Sequence, residues 1–258
     1  MVDSNPYQPP AAELDPPEPI LEGPRMPWED PGAYPGLPDR IVATLGLLLR
    51  PVEAGPALGA GSRVGPAIGF YALVGFPLLW AAQILMAVLK PGAQPPWMGQ
   101  FGLPEAPAVT PEMASLQRII ALAAALAAPI GLALSLAVNG AVNHVGLWAT
   151  RGLRANKGIA LTYRTVLYAH APLGLVSSIF VLWPLLPLWP AMLLFVAMLL
   201  FWIGAAVYQG LLLARAHDTD AWRGILGVFL PWLLAGCCCG ALGIAVAAAF
   251  GAFGRAFR

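Results

Sequence analysis

Charge is scarce in this chain of 258 residues. Only 10% of the residues are Asp, Glu, Lys or Arg, against about a quarter in an ordinary soluble domain. The formal net charge is +1, so nothing offers the basic face that a nucleic-acid partner needs. Cysteine is equally sparse. The three cysteines are consecutive, Cys237 to Cys239, which excludes a disulfide framework and lacks the ligand spacing of a zinc site. There is no P-loop, no GxSxG, no HExxH and no paired carboxylates within an apolar segment. An enzyme is therefore not expected, nor a cofactor. The opening MVDSNPYQPP has neither the basic nor the apolar region of a signal peptide.

What the chain has in abundance is apolar sequence, 59% of all residues. A helix crossing a bilayer needs about 20 largely apolar residues, and all thirteen acidic residues lie outside the long apolar runs. These runs predict an all-α integral membrane protein, a bundle of five transmembrane helices at about residues 65–89, 120–146, 166–183, 191–213 and 225–250. Pro184, Pro187 and Pro190 supply the turn between the third and fourth spans, because proline removes backbone donors and blocks helix continuation. Pro77, Pro129, Pro172 and Pro231 each fall inside a span. The membrane domain thus covers residues 65–254. Residues 39–64 read as an amphipathic segment, either interfacial or packed on the bundle. Residues 1–38 are rich in proline and acid and poor in aliphatics, the composition of a disordered tail.

Orientation follows from Lys and Arg placement. With the N-terminus inside, ten of the fourteen basic residues lie in inner segments and four in outer ones. The N-terminus is then cytoplasmic and the C-terminus outside, and the membrane is expected to be the bacterial inner membrane. The lipid bilayer is the obvious partner, with a second copy or another membrane protein as possible protein partners.

The densest set of polar side chains inside apolar sequence lies in residues 139–172, NGAVNHVGLWATRGLRANKGIALTYRTVLYAHAP. Ser135, Asn139 and Asn143 recur every four residues and share a helix face. Such residues either line a solute path or act as interhelical glue worth about 0.6 kcal/mol each. His144 and His170 flank the basic connection at similar distances, with Asn143 and Tyr168 near the same level. A polar cluster at the inner end of the hairpin is expected. Two histidines without a carboxylate or suitable thiol make an incomplete metal site. In the fifth span Cys239, Gly243, Ala247 and Gly251 form a ridge of small residues suited to close helix packing.

The same stretch resembles the central hairpin of the Yip family, five-span membrane proteins of the Rab-interacting type, in its bacterial branch. The resemblance lies in His144 at the end of one span, Lys157 with Gly158 in the loop, Thr165, and Tyr168-Ala169 with Pro172 opening the next span. PWED at residues 27–30, residues 44–51 and the apolar run after Gly65 are similar to the start of bacterial members, so the likeness covers most of residues 27–240. The Asp-Leu-Tyr-Gly-Pro string of the eukaryotic trafficking members is absent, so Rab binding is not carried over. The resemblance implies a non-enzymatic membrane protein that organises membrane or binds a partner. The alternative is a small-solute channel or transporter using the polar face of the second span.

Overall fold

A computed structural model describes residues 24–61, 63–89, 110–154, 157–234 and 237. Residues 1–23, most of the loop after the first apolar run, and the second half of the expected fifth span with its small-residue ridge lie outside the described residues. Every regular element among them is helical. The order is α1 (Leu37–Leu48), α2 (Pro51–Ala60), α3 (Gly65–Val74), α4 (Phe76–Leu89), α5 (Pro111–Ala149), α6 (Ile159–Val181), α7 (Leu188–Ala216) and α8 (Ala221–Leu234).

Three helices, α5, α6 and α7, are long and apolar enough to cross a membrane, and up to five spans arise if each of two bent pairs counts as one. The first pair, α1 and α2, bends by 117°; the second, α3 and α4, by 42°. The second bend sits where Pro77 removes a helical N–H and its ring crowds the carbonyl of Leu73. Helix α5 begins earlier than expected, at Pro111, because Thr110 caps it by accepting from the Met113 amide at 3.3 Å. Its 39 residues reach about 58 Å at 1.5 Å per residue, well beyond a hydrocarbon core of about 30 Å.

Helix α6 is the centre of the bundle. Half of its most apolar window is buried, against 11% for α5 and for α7. Those two helices instead turn Ile130, Leu134, Leu193 and Leu200 outward, each more than 60% exposed. Apolar side chains presented in rows on the outside are what a lipid-facing surface requires. The buried core gathers at the end of the bundle that carries the α5–α6 and α7–α8 connections, where Leu48, Leu58, Phe70, Leu147, Val166, Tyr168, Leu212 and Leu213 meet.

Contacts between helices repair what proline and helix ends leave open. Pro129 has no N–H to offer the carbonyl of Ala125, and the indole of Trp80 donates to that carbonyl at 2.9 Å instead. The phenol of Tyr208 donates to the carbonyl of Leu48, the last residue of α1, at 3.1 Å. Lys157 donates to the carbonyl of Ala216, the last of α7, at 2.7 Å, and Arg223 to that of Arg151 just past α5 at 3.0 Å. The basic residues at this end thus satisfy orphan carbonyls and complement the negative ends of helix dipoles.

Helices α5 and α7 both close with a Schellman turn. Gly152 donates back to Leu147 at 2.7 Å and Thr219 to Ala214 at 2.8 Å. The left-handed residue is non-glycine in each, Arg151 at φ 55° and Asp218 at φ 55°. A side chain in this region costs about 1 kcal/mol or more. Arg151→Gly is therefore expected to raise stability by about 1 kcal/mol, read as a higher midpoint of thermal unfolding in detergent. The carbonyl that Arg223 uses is kept.

The N-terminal region corrects one expectation. Of the segment expected to be disordered, residues 24–38 are folded onto the bundle. Pro27–Glu29 forms a 3-10 turn, and Met26 is fully buried. Trp28 packs on Phe70 with ring centroids 5.4 Å apart, and Arg40 sits over the Trp28 ring at 5.4 Å. The low average content of aliphatics concealed a compact anchor, Met26-Pro27-Trp28, followed by a carboxylate with a buried partner. For residues 39–64, α2 packs against the last turns of α7, so tightly that a side chain at Gly55 would run into the Cβ of Arg215. Helix α1 buries Thr44 and Leu48 while exposing Val42 and Leu49.

Candidate functional site

The residues expected to form one polar cluster are divided among three places around α6. The first is a cavity of about 750 Å³ lined by Ser135 and Asn139 of α5 and by His170 and Ser177 of α6, with Met198 and Trp202 of α7 among its other walls. Its polar floor is a directional chain. The carbonyl of Val166 can only accept, so His170 donates to it from Nδ1 at 2.8 Å. The lone pair on Nε2 then accepts from the Asn139 amide at 3.2 Å, and Asn139 in turn accepts from Asn143 at 2.7 Å. Both ring nitrogens of His170 are engaged, and Asn143 is fully buried behind Asn139.

The second place lies toward the α7–α8 connection. The hydroxyl of Thr162 stands between His144 Nδ1 at 2.9 Å and His217 Nε2 at 3.0 Å. With one hydroxyl proton for two imidazoles, Thr162 donates to one ring while accepting N–H from the other. His217 is fully buried, and its Nδ1 has no partner among the described residues. His144 and His170, expected near each other, are thus held by different partners. The reason is helical geometry. Asn139 and His144 are five residues apart on α5, which turns their side chains to different neighbours.

Burial, with smaller contributions from nearby His144 and Lys157, pushes the His217 imidazole down to about 4. An unfolded histidine titrates near 6.5, so between these values the unfolded chain binds the extra proton. The stability contributed by neutral His217 is complete above about pH 6.5 and is lost as pH falls toward 4. Thermal unfolding followed from pH 7.5 to pH 4.5 is expected to show that decline, with a flatter profile in His217→Gln. An unchanged slope in the variant would assign the decline to other groups.

The third place is one that sequence reasoning missed. Arg164, counted there as a charge of the inner loop, lies within α6 and is 1% exposed. Its guanidinium pairs with Glu29 Oε1 at 3.0 Å and donates to the carbonyl of Ala57 at 3.3 Å. Tyr168, assigned to the cluster with the histidines, points here instead, donating to the same Glu29 oxygen at 2.6 Å. Its ring packs on Phe70 at 5.5 Å and lies under the Arg164 guanidinium at 5.7 Å. The available signal was a lone arginine amid LTYRTVLY, between apolar residues on both sides, and a lone Glu after Pro-Trp. Pairing them spans 135 positions, and no local pattern reveals it.

Among the described residues no group of three or more His, Cys, Asp and Glu could hold a metal ion. The features together define an all-α protein with helices of membrane-spanning length and composition. No family model, no curated protein and no solved structure matches the chain.

Proposed function

We propose that the chain is a non-enzymatic, five-span integral membrane protein of the Yip type, in the bacterial inner membrane with a cytoplasmic N-terminus and an outer C-terminus, where it organises membrane or binds a partner. The partner would be a second copy or another membrane protein. The observation that carries this reading is how the intramembrane polar side chains are engaged. Asn139, Asn143 and His170 bond to one another, and His144 bonds to Thr162, and such internal bonding is the behaviour of interhelical glue. In this reading the folded N-terminal segment adds a platform at the basic end of the bundle, and that end faces the cytoplasm. Reporter fusions after Arg154 and Arg215 are expected to read inside, and those after Gln100 and Arg258 outside. An outside signal after Arg154 would reject the orientation.

A second reading has one observation in its favour. Ser135, Asn139 and His170 line the 750 Å³ cavity, as a small-solute path along α5 requires. Single cysteines at positions 135, 139 and 143, in a background with Cys237, Cys238 and Cys239 replaced, separate the two readings. A packing role leaves them unreactive to a membrane-impermeant thiol reagent. Labelling that tracks the α5 face makes the cavity a path.

A further inference from the structure

A second cavity shares no lining residue with the first and is chemically unlike it. It encloses about 400 Å³ between the N-terminal turn, α2 and the start of α3, and three arginines, Arg25, Arg63 and Arg164, line it together with Glu29. Arg25 and Arg63 are exposed, while Arg164 is 99% buried. The ion pair with Glu29 engages only one terminal nitrogen of Arg164. Its Nε and its other terminal nitrogen, Nη1, are buried and have no hydrogen-bond partner among the described residues. Gly61, also in the wall, lets the guanidinium lie directly against the backbone, because any Cβ there would occupy the guanidinium's own place. A buried guanidinium with unsatisfied donors is costly, and here it adjoins a space lined by further positive charge.

We propose that this cavity is a binding site for a phosphate group. The unsatisfied donors of Arg164 and the guanidinium of Arg63 line one cavity, and guanidinium forks match phosphate oxygens in number and direction. The free nitrogen of Arg164 forms the floor, and Arg63 closes on the phosphate from the rim. Basic pockets between membrane helices take phospholipid headgroups, and a free phosphate ion offers the same oxygens. This site is separate from the polar face of α5 and does not depend on its reading as glue or path.

The test uses the full chain, purified and delipidated in a neutral detergent. Its thermal unfolding midpoint is measured with phosphatidylglycerol, with phosphatidylcholine, and with inorganic phosphate at constant ionic strength. A higher midpoint with phosphatidylglycerol but not with phosphatidylcholine supports the site and assigns the phosphate to an anionic headgroup. A higher midpoint with inorganic phosphate supports it and assigns the free ion. Arg63→Gln, an exposed substitution outside the core, is expected to weaken the response roughly tenfold in ligand concentration, the loss of one charge-assisted contact. Arg50→Gln, which removes a charge paired with Glu53 outside the cavity, is expected to leave it unchanged. No response to either phosphate source, or equal weakening by both substitutions, would overturn the proposal.

Discussion

Glu29→Ala is expected to lower the unfolding free energy by about 3–5 kcal/mol, the cost of stranding one charge of a buried pair. Two features put it there. Arg164 is 1% exposed, and Glu29 serves two donors at once, the guanidinium and the Tyr168 hydroxyl. Thermal or denaturant unfolding in detergent measures the loss. Deleting residues 1–36 is expected to be at least as damaging, since Met26 and Trp28 leave with the carboxylate. Although the composition of residues 1–38 is that of a disordered tail, the truncated chain should therefore fail to accumulate in the membrane. The double variant Glu29→Gln with Arg164→Met is the informative control. Replacing both charges removes the desolvation cost as well as the attraction, so its loss should be clearly smaller than the sum of the single losses. Additive losses would mean that the two side chains contribute independently.

Comparable damage is expected from Gly75→Leu and Gly174→Leu. The bend between α3 and α4 brings backbone directly against α6. A Cβ on Gly75 would lie 2.8 Å from the Cα of Ala171, and one on Gly174 would lie 3.1 Å from the Cα of Gly75. The obstacle is main chain on both sides, so no side-chain rotation can relieve it. Overpacking of this kind costs about 1–3 kcal/mol where side chains can shift, and more is expected where the helices themselves must separate. Gly131 in α5 and Gly204 in α7 have open space around them. Alanine there should be neutral or gain up to about 1 kcal/mol from helix propensity. Survival of all four variants in unfolding assays would show that the crossing is looser than its geometry.

The membrane-type, all-helical character of the chain was written in local sequence. Long uncharged runs, prolines at turns and helix breaks, and acids kept out of the apolar runs act over one or two helical turns, and burial in lipid needs no particular partner. Even the α6 core is visible as a span. Its start at Ile159, however, takes in Arg164, a residue that hydropathy assigns to the loop. A charge in a helix becomes tolerable only when a distant carboxylate is brought to it, and that is decided by tertiary contact. The same holds for the polar residues. Their spacing put Ser135, Asn139 and Asn143 on one face; Ser135 and Asn139 line the cavity, and Asn143 is hydrogen-bonded behind Asn139. Which histidine each would meet depended on how α5 and α6 are rotated against each other, a matter of side-chain packing. The N-terminal turn shows the limit most sharply. Composition averages over residues 1–38, whereas folding depends on buried Met26 and Pro27, half-buried Trp28 and one carboxylate meeting Phe70, Tyr168 and Arg164 from across the chain.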